Sequence, residues 1–165
     1  MTRPLFETTH SGEPWLERLG PGAMLLHGFA VAEAPALAVE LARLIEQAPW
    51  RQMVTPSGHR MSVAMTNCGA LGWVSDRTGY RYEPLDPLTG RPWPPLPDCF
   101  RQLAHAAAAQ AGFAGFNPDA CLINRYLPAA RMSLHQDRDE RDLTAPDCVG
   151  LPRPAGGVSV GWSEA

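Results

Sequence analysis

The sequence predicts a mostly β domain with flanking helices, an α+β architecture, and three observations carry that expectation. Two stretches, 35–48 and 99–111, repeat apolar residues with helical spacing. Two short runs, 61–66 and 121–126, read as strands. Between them a proline-rich run, 82–97, forbids a helix and most sheet pairing.

Each element has its own justification. In PALAVELARLIEQA, 35–48, Leu37, Leu41, Leu44 and Ile45 repeat at helical spacing while Glu40, Arg43 and Glu46 fall on other faces. MSVAMT reads as a short strand, and the TNCGALGW stretch after it as a glycine-punctuated turn. The 82–97 run is expected as an extended loop; a ligand for an SH3-like domain is the alternative, and a structural loop suits a compact chain better. Asp98 is placed to cap the second helix, which stops at Gly112. In CLINRY, Leu122, Asn124 and Tyr126 share one face of a strand, and Cys121, Ile123 and Arg125 share the other. The run 130–137, ARMSLHQD, is a candidate for a further strand. No repeat or linker interrupts the chain, which points to one domain.

Composition narrows the class. With 45% apolar and 19% charged residues in 165, the chain resembles neither a disordered tail nor a membrane protein. The first residues lack the apolar stretch of a signal peptide, and no run approaches the ~18 apolar residues a span needs, so a cytoplasmic protein without membrane contact is expected. Cys68, Cys99, Cys121 and Cys148 form no CxxC pair, which argues against a zinc ribbon or a disulfide framework. The net charge of −3 leaves any nucleic-acid contact to a local patch. All fourteen basic residues are Arg, which GC-rich coding explains better than selection for phosphate contacts.

The chemistry centres on His135-Gln136-Asp137. On a strand, period-two alternation would project both side chains from one face, supplying two of the three ligands of a 2-His-1-carboxylate triad for non-haem Fe(II). Alone the triplet is weak, and a strand end or turn is the plainer reading.

The surrounding sequence adds weight. DACLINRY and NRYLPAARMSLHQDRDE, with FRQLAHAAAAQAGF, RQMVTPSGHRMSVAMTNCGALGW and GYRYEPLDP upstream, resemble the AlkB family of Fe(II)- and 2-oxoglutarate-dependent dioxygenases from about Trp15 to Pro146. The resemblance implies a partial double-stranded β-helix, or jelly roll, with an N-terminal helix and a nucleotide-recognition lid. It implies that His135 and Asp137 bind Fe(II) and act in catalysis, and that Asn124 and Tyr126, with Arg125 between them, contact 2-oxoglutarate. It also implies that Trp73, Tyr80, Arg81, Tyr82, Asp139 and Met65 meet the substrate. That substrate would be 1-methyladenine or 3-methylcytosine in single- or double-stranded DNA or in RNA, demethylated oxidatively by a monomer with release of formaldehyde, succinate and CO2. An aromatic such as Trp73 suits a flipped base, and Asp139 suits an exocyclic amine. Read without the resemblance, Trp73, Tyr80, Met61 and Met65 are ordinary packing residues.

The family pattern is incomplete here. No histidine follows Asp137, since His10, His27, His59 and His105 all precede it, and Arg138, Arg141 and Arg153 stand outside the family's Arg motif. The expected division is 1–146 as the front of a dioxygenase domain and 147–165 as a tail without strand alternation or family character. Read one nucleotide later, degenerate codons for the tail accommodate an alternating strand resembling the family's, so a single-base insertion near Pro146 is expected. A poorly folded or inactive polypeptide follows from that expectation. The competing classes are a non-catalytic, nucleic-acid-binding fragment and a cupin-like oxygenase of small metabolites.

Overall fold

The computed structural model describes residues 14–21, 23–130, 146, 148–150 and 158–163. A hairpin of β1 (Trp15–Gly20) and β2 (Ala23–His27) leads into α1 (Ala34–Gln47). Strand β3 (Ala64–Gly69) follows, then a second hairpin of β4 (Gly72–Asp76) and β5 (Gly79–Glu83). The proline run then leads to α2 (Asp98–Gln110), β6 (Ala120–Arg125), β7 (Cys148–Gly150) and β8 (Val158–Ser163). Four strands form one antiparallel sheet in the order β3-β6-β8-β7. The described residues are thus mostly β with two helices.

Register gives the sheet two distinct faces. In the β3–β6 ladder, Cys68 lies opposite Cys121 and Thr66 opposite Ile123, and directly opposed residues project to the same side. That side packs on Leu44 of α1 and on Phe100, Leu103, Ala104 and Ala108 of α2, forming the main core. Phe100 and Ile123 are essentially inaccessible, and burying each stabilises the fold by about 2 kcal/mol before entropy. The other side carries Met65, Asn67, Leu122 and Asn124.

Local chemistry explains the helix ends. α1 starts with a proline in its first turn, where a missing N–H costs nothing, and closes on the buried Ala48. Asp98 does not cap α2 as the sequence suggested. Pro97 holds the cap position in extended geometry, and Asp98 sits in the first turn, where its charge complements the helix dipole. Gly112 does end that helix: its φ of 94° lets the chain turn away while the Phe113 amide donates to the Ala108 carbonyl.

Three further expectations are corrected. The strand expected at 61–66 runs from 64 to 69, because pairing with β6 begins only at Ala64, while the Met61 amide donates to the Met53 carbonyl. The stretch expected as a turn, TNCGALGW, holds the end of β3 and the start of β4, and Tyr82 and Glu83 belong to β5 rather than to the loop. The tail expected to lack strand character supplies β7 and β8, and β8 pairs along the whole of β6 from Ala120↔Ser163 to Arg125↔Val158. The strand expected at 130–137 lies outside the described residues apart from Ala130. No described helix is long and apolar enough to cross a membrane.

Candidate active site

β3 and β6 place the first candidate side chains. Met65 stands directly opposite Asn124, and both are buried. Met65 packs with Met53 and Val63, and Met61, Trp73, Leu122, Tyr126 and Ala130 close around them. The result is a small apolar floor with Asn124 at its edge and Tyr126 just beyond the end of β6.

Asn124 is the unusual member. Its Oδ1 is buried without a hydrogen-bond partner, a state that costs roughly 1–3 kcal/mol unless a ligand or water satisfies it. An amide also turns over readily, presenting Nδ2 as a donor at the same point, which suits a carboxylate. With the amide turned over, the Asn124 Nδ2 donor at this point fits a small acidic co-substrate such as 2-oxoglutarate.

The β4–β5 hairpin supplies the aromatics. Trp73 lies opposite Tyr82, and Ser75 opposite Tyr80, so Trp73, Tyr80 and Tyr82 share one face of the hairpin. Trp73 and Tyr80 stack with ring centroids 5.6 Å apart and planes 16° apart. Tyr80 is exposed, while Trp73 and Tyr82 are half-buried.

Residues that sequence reasoning missed fix the root of this hairpin. The Asn67 side chain accepts from the Trp73 amide at 3.0 Å and donates to the Trp73 carbonyl at 2.9 Å. Trp93 packs on Gly72 and donates from Nε1 to the Glu83 carbonyl at 2.9 Å, gripping the Gly72–Glu83 pair. Arg51 lies over the Trp93 ring at 5.1 Å and forms a two-pronged ion pair with buried Asp86. Burial alone pushes the Asp86 carboxyl up, but Arg51 and the Leu88 amide together hold it below the usual carboxylate range. The available signal was Asn67 itself, a polar, strand-averse residue in the run AMTNCG.

Two candidates are not brought to the site. Arg125 lies on the opposite face of β6 from Asn124, because the strand alternates, and its guanidinium sits over Trp50 at 5.1 Å. Arg81 occupies the reverse face of the hairpin from Trp73, paired with Asp76 at 2.9 Å and Glu83 at 2.6 Å. The Arg81 and Thr78 hydrogen bonds hold the Asp76 carboxyl far below its ordinary range. His135, Asp137 and Asp139 lie outside the described residues. Among the described residues no group of three or more His, Cys, Asp or Glu side chains could hold a metal.

Comparison with known proteins places these features in a family. A Salmonella typhimurium protein named alpha-ketoglutarate-dependent dioxygenase AlkB is 58% identical over 133 residues, which cover 81% of this chain and 62% of that protein. The Escherichia coli protein of the same name is 55% identical over 143 residues, covering 85% of this chain and 66% of its own length. A Caulobacter vibrioides AlkB homolog is 50% identical over 101 residues, 61% of this chain and 44% of that protein. The chain therefore spans just under two thirds of the first two relatives. Residues 22–148 match the family model of the 2OG-Fe(II) oxygenase superfamily, a jelly-roll fold consistent with the strands described. The chain belongs to the 2OG-Fe(II) oxygenase superfamily, and the relatives it resembles there are AlkB dioxygenases.

Proposed function

We propose that this chain carries the base-recognition side of an Fe(II)- and 2-oxoglutarate-dependent dioxygenase that demethylates 1-methyladenine or 3-methylcytosine in DNA or RNA. The observation that carries the reading is the convergence of Met65, Trp73 and Tyr126 on one apolar floor, with the unsatisfied Asn124 Oδ1 beside it. A flipped base needs a flat apolar clamp, and 2-oxoglutarate needs a polar partner at its edge. When bound, Fe(II) with 2-oxoglutarate supplies the oxidation of the N-methyl group by O2, yielding formaldehyde, succinate and CO2.

The chain's own residues have separate tasks in this reading. His135 and Asp137 hold the iron, and Asn124 and Tyr126 orient the co-substrate. Trp73, Tyr80 and Tyr82 stack on the extruded base and its neighbours, each stacked base contributing roughly 1–3 kcal/mol. Asp139 accepts from the exocyclic amine, and Met65 sets the depth of the floor. Arg125 and Arg81 act instead as supports, given their positions on the reverse faces.

Within these residues the iron has two ligands where a facial triad has three, so we also infer impaired turnover. Incubating the purified chain with Fe(II), 2-oxoglutarate and a single-stranded oligonucleotide bearing one 3-methylcytosine tests both parts. Tighter binding of the methylated strand than of its unmethylated twin, with little succinate formed, is the expected result. Robust demethylation would refute the impairment, and equal binding of the two strands would refute base recognition.

A further inference from the structure

We infer that Asn67 is a positioning residue for base recognition: it fixes the Trp73 ring against the sheet by taking both main-chain polar groups of Trp73. The inference rests on the reading above, in which Trp73 stacks on the base. Asn67 is completely buried on the Met65–Asn124 side of β3, and its one side chain serves both the Trp73 N–H and the Trp73 C=O.

The geometry explains why an amide is needed. The N–H and C=O of one strand residue point the same way, so a residue that gives both to Asn67 gives neither to β5. Trp73 and Tyr82 are therefore the non-hydrogen-bonded kind of antiparallel pair, in which Cα atoms approach to about 4.5 Å and side chains pack closest. Asn67 thus takes the place of a neighbouring strand along the free edge of β4. A primary amide carries its donor and its acceptor on two separate atoms, Nδ2 and Oδ1, which here meet the C=O and the N–H of one residue, and Gln would be one methylene too long for this fully buried position.

The neighbouring contacts make Asn67 the hinge point. Gly72, the preceding residue, is held against Trp93 and against the Asn67 Cβ, so main-chain shifts there are blocked on one side. Beyond Trp73 the hairpin is held by Val74, buried with Ala48 and Trp93, by the Ser75 hydroxyl, which donates to the Val54 carbonyl at 2.7 Å, and by the Asp76–Thr78–Arg81 bonds at its tip, none of which touches the Trp73 main chain. Removing the Asn67 amide leaves the two Trp73 main-chain groups without their partner and frees the ring to tilt.

Anisotropy of a fluorescein-labelled single strand with one 3-methylcytosine, measured without 2-oxoglutarate, tests the inference. We expect Trp73→Ala to weaken binding roughly tenfold and Asn67→Ala at least about fivefold. The double variant should bind no more weakly than Trp73→Ala alone, because the two residues act through one ring. Thr66→Val, which removes a buried 2.7 Å bond to the Ala48 carbonyl on the other face of the same strand, should stay within about twofold and controls for lost stability. An Asn67→Ala effect within twofold, or additive losses in the double variant, would overturn the inference. If Trp73→Ala changes nothing, the stacking reading fails, and amide hydrogen exchange decides the role of Asn67 separately. The Trp73 amide should exchange at least about tenfold faster in Asn67→Ala than in Thr66→Val, and equal rates would overturn the inference.

Discussion

Gly72 is required for space rather than for backbone freedom. A Cβ at this position would lie 2.4 Å from Trp93 Cε2 and 2.9 Å from the Asn67 Cβ. Gly72→Ala must displace the indole, and we expect it to cost about 2 kcal/mol in urea unfolding. An unchanged midpoint would show that Trp93 yields freely. At this scale the alternation in CLINRY placed Asn124 and Leu122 on one face of β6, whereas Tyr126, expected on the same strand, lies one residue past its end and packs against the Met65 cluster. The same alternation also separates Arg125 from them. Asn67 stood out as a strand-averse residue, but its role was not legible, because its partners lie on the main chain of a residue six positions away, and main-chain groups carry no sequence signature.

Among elements, the two helices were legible and the hairpins were not. Leu37, Leu41 and Leu44 recur with the helical period, whereas Gly72 and Gly79 look like turn punctuation until the strands between them are seen to pair. The proline run was rightly expected to hold no helix, but it folds back on itself between Asp86 and Arg91 rather than running extended throughout, and its purpose was hidden. It returns Asp86 and Trp93 to Arg51 and the hairpin root, contacts separated by 35 positions in the Arg51–Asp86 case. Because the folded Asp86 carboxyl titrates below its unfolded value of about 3.9, its contribution to stability is present above that pH and is lost as pH falls through the lower folded value. Asp86→Asn should therefore cost about 3 kcal/mol at pH 7 by leaving Arg51 unpaired, and should lose less additional stability than the parent below pH 4. Parallel urea titrations at pH 7 and pH 3 check this, and identical pH slopes for the two chains would contradict it.

For the whole molecule, the mostly β architecture was legible from strand and turn chemistry, but the strand order β3-β6-β8-β7 was not, since long-range pairing leaves no local trace. The tail illustrates this most clearly. Its glycines and prolines suggested no strand, yet Val158–Ser163 lies along β6 in full register. We propose that residues from about 147 onward derive from a shifted reading frame, and sequencing the gene across this region checks it. A restored frame encoding a late histidine and the family's Arg motif is the expected result; an intact frame lacking both would sink the proposal.

The position of β8 also bears on how the chain is made. Among the described residues, β3 covers one edge of β6 and residues 158–163 cover the other. Until residues 158–163 are synthesised, the main-chain donors and acceptors of β6 that pair with them in the finished sheet lack those partners. β8 thus acts as a timing element. The interval before it emerges, rather than the final stability of the sheet, sets how long each new molecule is exposed to pairing with its neighbours.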